Sequence, residues 1–134
     1  MVDTTAHSRG EYPSVRSILA GLIVDQSAAT CVTIDLSVGY SGRDLADVQA
    51  IADRRNSLYI RLPMNESIAD RARETQVRMA ARGQHRSAQA VNVLTAAVAA
   101  YHNAVILHFD ADFEHIAAVT GQPHLWVAPR GSLD

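Results

Sequence analysis

The chain has 134 residues and a hydrophobic fraction of 48%, which suits one domain, residues 1–134, with a real core. Its net charge of −2 gives no global basic footprint, so any contact with nucleic acid rests on a local arginine patch. No apolar run is long enough to span a bilayer, Asp3 and Thr4-Thr5 interrupt any signal-peptide pattern, and the single Cys31 cannot form an internal disulfide; a soluble cytoplasmic protein is expected.

Met1-Val2 reads as the end of a strand, and Asp3 to Ala6 as a polar turn. Gly10 and Pro13 mark a loop, and Ser14 is the expected N-cap of a helix over 15–24 with Val15, Ile18, Leu19 and Leu22 as its apolar stripe. Thr30 or Thr33 is expected to cap a helix over roughly 31–41, with Val32, Leu36, Gly39 and Tyr40 on one side and Thr33, Ser37 and Ser41 on another. Asp44 caps a third helix whose expected core face is Leu45, Val48 and Ile51. Leu58 to Leu62 alternates as a strand that Pro63 stops.

Asn65 and Glu66 begin a long helix to about Arg82, buried along Ile68, Ala72, Thr75 and Met79 and closed by Gly83. The helix over 88–102 carries almost no charge, so it is expected to lie centrally against the sheet, with Asn92 its conspicuous polar residue and Asn103 its end. Val105 to Leu107 then forms a strand buried on both sides. A short helix over 113–119 follows, with Gly121 as its stop, then a last strand near 124–127 and a loose tail from Pro129. Strands alternating with helices predict a three-layer α/β fold with a mainly parallel central sheet flanked by helices.

The chemistry concentrates in Val105-Ile106-Leu107-His108-Phe109-Asp110-Ala111-Asp112-Phe113. Carboxylates just past the C-terminal end of a buried strand sit where open α/β sheets place their ligands. Asp112 reads equally well as a helix cap. The six histidines show no paired zinc-motif spacing, and His108 reads as a packed or hydrogen-bonded residue. All the basic residues are arginine; Arg43, Arg82, Arg86 and Arg130 are candidates for holding RNA phosphates, against the ordinary reading of a solvated helix surface.

Three patches together resemble the VapC-type toxins of the PIN-domain ribonuclease family. They are Val2-Asp3-Thr4-Thr5-Ala6; Arg82-Gly83-Gln84-His85-Arg86 leading into Val91 to Ala97; and Leu107 to Phe113 with Ile116 to Pro123 and Trp126-Val127. The resemblance implies a PIN-like fold and a metal-dependent endoribonuclease toxin of a VapBC-type pair, using Mg²⁺ or Mn²⁺ and held inactive by a VapB-like antitoxin. Homodimers are common in that family, and Tyr12, Leu19 or Tyr59 are candidate contributors.

Four acidic positions of the family fall on Asp3, Ser37, Asn92 and Asp110, with Asp112 beside the last. The implied catalytic residues are Asp3, Asp110 and Asp112, and the implied metal ligands Asp3, Asn92 and Asp110. Ser37 stands where the family has Glu and Asn92 where it has Asp, so two expected carboxylates are neutral. Asparagine offers a carbonyl oxygen without charge. Asp35 lies on a different helix face from Ser37 and is a poor substitute. The alternative reading is a catalytically degenerate PIN domain that binds an antitoxin or RNA without cleaving.

Overall fold

The computed structural model describes residues 1–133. Its elements are α1 (Thr4–His7), α2 (Pro13–Val24), β1 (Ala29–Thr30), α3 (Val32–Gly39), α4 (Leu45–Leu58), β2 (Ile60–Arg61), α5 (Glu66–Ala81), α6 (Ala90–Tyr101), β3 (Ile106–His108), α7 (Asp112–Thr120) and β4 (His124–Trp126). Two parallel strand pairs, β1–β2 and β3–β4, are joined through the first residues of the chain. Val2 N–H donates to the Ala29 carbonyl at 2.9 Å, Asp3 N–H to Leu107 and Leu107 N–H to Met1, each also at 2.9 Å. Val2 thus forms a parallel bridge to Leu107 and stands between the two pairs.

Helices cover both faces. On one side Ile34 of α3, Ile68 and Met79 of α5, Val93 and Val98 of α6, and Phe113 and Ile116 of α7 close over Ile106. On the other, Ala6 of α1 and Val15 and Leu19 of α2 pack with Val2, Phe109 and Val127. Full burial of each aliphatic side chain contributes roughly 1.5–3 kcal/mol. The uncharged helix α6 is the central one, packed against α3, α5 and α7.

Several local expectations are corrected. The segment after Asp3 is the short helix α1 rather than a turn. Helix α2 starts at Pro13, not after Ser14: Pro has a helix-ready φ and no N–H to leave unpaired, so Tyr12 serves as N-cap without a side-chain bond. Strand β1 was not anticipated, because its two residues are too few to show a pattern. Cys31, neither Thr30 nor Thr33, is the N-cap of α3.

On α4 Leu45 is 73% exposed and Val48 41%, while the buried residue is Arg55. That helix packs along Arg55 because two acceptors, the half-buried Asp35 and the buried Thr30, lie 2.8 Å from the guanidinium. The tail from Pro129 is not loose: Leu133 packs into the second core cluster. Asp44 and Asn65 do cap α4 and α5, accepting from Asp47 N–H and Ile68 N–H at 2.9 Å. Gly121 ends α7 at φ 72°, a left-handed conformation that glycine adopts without a Cβ clash.

Candidate functional site

Parallel pairing sets the site. Val2 and β3 run side by side, so Asp3, which follows Val2, and Asp110, just beyond β3, emerge at the same edge of the sheet. Helix α3 springs from β1 and carries Thr33 and Ser37 over that edge; the first turn of α6 brings Asn92. Asp3, Ser37, Asn92 and Asp110 consequently line one cavity of about 250 Å³, with Thr5, Thr33 and Thr95 among its other walls.

Asp3 is 3% exposed and caps α1: its Oδ2 accepts from Thr5 N–H at 2.9 Å and from the Thr5 hydroxyl at 2.6 Å. Burial pushes its carboxyl above the ordinary carboxylate range, the Thr5 bonds oppose this, and the Asp110 charge adds a smaller upward push. Thr5 Oγ1 also accepts from Phe109 N–H at 2.9 Å, fastening Asp3 to the end of β3.

Asp110 is half-buried. Its Oδ1 accepts from Asp112 N–H at 2.9 Å, and its Oδ2 from Asn92 Nδ2 at 3.2 Å. The same Asn92 nitrogen donates to Asp112 Oδ2 at 2.9 Å. Both partners are carboxylates and accept only, which sets the orientation of the Asn92 amide. Asp112 Oδ2 also accepts from Gln89 N–H at 2.8 Å, tying the start of α6 to α7. Asp112 is not among the residues lining the cavity; its carboxylate is bonded to Asn92 and to Gln89 N–H.

Ser37 is in the wall, half-buried, with no charge to offer. Asp35 points elsewhere, into the Arg55 guanidinium at 2.8 Å. Arg43 is paired with Asp47 at 2.7 Å on an exposed surface, and Arg130 with Glu114 at 2.9 Å. Arg82 donates to the Ala118 carbonyl at 3.2 Å, Arg86 is exposed, and none of these arginines lines the cavity. Among the described residues, no three of His, Cys, Asp and Glu converge as a metal-holding group.

Sequence reasoning missed the threonines. The hydroxyls of Thr33 and Thr95 lie 2.6 Å apart and couple α3 to α6 across the cavity floor. A threonine facing a threonine from 62 residues away leaves no local pattern, although Thr5, two residues after Asp3, is at the usual spacing for a carboxylate turn.

No protein-family model matches the chain. Curated relatives do. Ribonuclease VapC21 of Mycobacterium tuberculosis is 36% identical over 134 residues, covering 98% of this chain and 96% of the relative. Ribonuclease VapC18 of the same organism is 35% identical over 135 residues, covering 98% of this chain and 97% of the relative. Among solved structures, VapBC2 from Rickettsia felis bound to a DNA fragment from its promoter superposes with a TM-score of 0.76 at 14% identity, over 94% of this chain and 97% of that one. This structural likeness concerns the fold.

Proposed function

Because the chain belongs to the VapC ribonuclease family, we propose that it is an endoribonuclease toxin that cleaves RNA phosphodiester bonds at the cavity between Asp3 and Asp110 and is restrained by a cognate VapB-like antitoxin. The observation that carries this reading is that four residues distant in sequence, Asp3, Ser37, Asn92 and Asp110, line a single cavity at the edge where parallel sheets place ligands. In this reading Asp110, half-buried at the cavity, would orient a water toward an RNA phosphate and take its proton. Asp3 holds the deeper end of the cavity in a fixed geometry through Thr5.

The donor set suits a hard divalent cation in its minimal form. Mg²⁺ keeps several waters and needs one or two carboxylates. Asp3 and Asp110 would supply these, with the Ser37 hydroxyl a neutral supplement; Asn92 presents its amide hydrogens, not its oxygen, to Asp110. Mg²⁺ or Mn²⁺ bound there would neutralise charge developing on the phosphoryl oxygens. Arg82 and Arg86, between α5 and α6, are the proposed phosphate contacts, with Arg43, between α3 and α4, a further candidate.

The proposed antitoxin seat is the groove of about 730 Å³ between α2 and α4. Leu19, Ile23, Ile51 and Leu58 form an apolar floor, and Arg16 and Arg54 edge it, which suits an amphipathic acidic segment. Leu19 and Tyr59 line this same groove, Leu19 being 8% exposed. A homodimer is proposed through Val32 and Leu36 of α3 and its C-cap Tyr40, which are 46%, 69% and 92% exposed. No helix among the described residues is long and apolar enough to cross a membrane.

The test is cleavage of a fluorescent RNA in Mg²⁺ or Mn²⁺. The natural chain cleaves, and Asp110→Asn loses at least about a hundredfold, the scale of removing a positioned acid–base group. Absence of cleavage by the natural chain in either cation overturns the reading. A second reading, a non-cleaving binding module, is favoured by the neutral Ser37 and Asn92; under it, only the double variant Ser37→Glu with Asn92→Asp cleaves.

A further inference from the structure

We propose that the Asn92 amide is a built-in, neutral stand-in for a cation: its –NH₂ group bridges the carboxylates of Asp110 and Asp112, holds the site assembled without metal, and lowers the site's affinity for divalent ions. The inference rests on the proposed cation site between Asp3 and Asp110 and concerns how this chain's own residues set its occupancy.

Two carboxylates brought close repel and require something positive between them. Here the partial positive charge comes from amide hydrogens, at 3.2 Å from Asp110 Oδ2 and 2.9 Å from Asp112 Oδ2. Asp112 is further held by Gln89 N–H at 2.8 Å, and Asp110 Oδ1 by Asp112 N–H at 2.9 Å. Every contact of the amide nitrogen with this pair is therefore a donor contact, the opposite polarity from a metal ligand.

The amide nitrogen holds Asp110 Oδ2 and Asp112 Oδ2, so a cation that takes either oxygen displaces a donor bond. A cation therefore competes with the amide for Asp110. An aspartate at the same place has the reverse properties: it adds a third negative charge next to Asp110 and Asp112 when no metal is present, and a charged ligand when one is.

The experiment measures thermal unfolding against Mn²⁺ concentration for the natural chain, Asn92→Asp and Asn92→Ala, with Asp110→Asn as the site control. In EDTA the expected order of Tm is natural chain highest, then Asn92→Ala, then Asn92→Asp. The Mn²⁺ concentration for half the Tm rise is expected to fall by roughly tenfold or more in Asn92→Asp relative to the natural chain, because ligand charge sets affinity for hard cations. Asn92→Ala separates loss of the amide from gain of a charged ligand: it removes the bridge and the competitor together, so its Mn²⁺ concentration for half the Tm rise is expected to lie between those of the natural chain and Asn92→Asp; a value no lower than that of the natural chain overturns the competition.

A natural chain that takes Mn²⁺ as tightly as Asn92→Asp, through Asp110, overturns the proposal while leaving the ribonuclease reading intact. Equal Tm values in EDTA for the natural chain and Asn92→Ala overturn it too. If Asn92→Asp gains Mn²⁺ affinity through Asp110 and yet the natural chain cleaves no RNA, the amide's role stands and the ribonuclease reading falls.

Discussion

Asp110 N–H donates to His108 Nδ1 at 3.0 Å, so that nitrogen is the acceptor and Nε2 of the neutral ring carries the proton. Nε2 then donates to His124 Nδ1, 2.8 Å away. His108 is fully buried against Phe113 and Trp126. Burial, and secondarily the charge on His124, pushes its pKa from 6.5 down to about 4. The unfolded chain thus binds this proton near pH 6.5 and the folded chain only near pH 4. The stability that goes with a neutral His108 is complete above that window and is lost as pH falls through it, in total on the order of 3 kcal/mol at about 1.4 per pH unit. Urea melts at about pH 7 and about pH 4.5 measure this. His108→Gln, which keeps one acceptor and one donor, is expected to lose less stability on acidification than the natural chain; an unchanged slope refutes the assignment. That His108 is packed and hydrogen-bonded was legible in the sequence from its place inside an apolar strand. Its partner His124 was not, because the register that sets His124 opposite Ile106 and Trp126 opposite His108 comes from strand pairing and not from local sequence.

At the scale of elements, α4 is the case where periodicity misleads. Leu45, Val48 and Ile51 recur at helical spacing, yet the buried side chain is Arg55, 5% exposed, with its guanidinium 4.6 Å from the Tyr59 ring. Arg55 joins α4 to Asp35 of α3 and to Thr30 of β1 in one polar network. Removing one member leaves the other buried without compensation, so Arg55→Ala is expected to cost about 3 kcal/mol, the lower end for buried pairs because Asp35 keeps some exposure. Asp35→Ala is expected to cost a comparable amount, and the double variant less than the sum of the two, in equilibrium denaturation. Strict additivity would show that the pair is not coupled. By contrast, α5 and α6 follow their patterns: Ile68, Thr75 and Met79 are buried on α5, and α6 is buried over Val93 to Ala99 apart from Leu94.

At the scale of the molecule, two strand pairs become one sheet only through residues Met1 to Asp3. Val2, 2% exposed, bonds on one side to Ala29 and on the other side bridges Leu107. Its N–H lies inside a ladder, so Val2→Pro is expected to cost about 3 kcal/mol or more, the penalty for proline within a sheet or helix. Val2→Thr, which keeps the N–H, is expected to cost less, as read by thermal or urea unfolding. Equal losses in the two variants would mean that Val2 acts through its side chain alone. Because Asp3 is held by this same junction, loss of the bridge is also loss of the cavity wall.

The sequence by itself determined the class of fold, the central position of α6, the strand end at Asp110, and the family. Each of these follows from local patterns: alternation of strand and helix, an uncharged helix, an apolar run ending in aspartate, and motifs in a fixed order. Only the tertiary structure decided that Asn92 faces Asp110 and Asp112 with its hydrogens, that Asp35 serves Arg55 rather than the cavity, and that Thr33 meets Thr95. The physical reason is one of range. A side-chain hydrogen bond depends on partners tens of residues away and on the direction in which packing turns each group, and neither quantity is written in local periodicity.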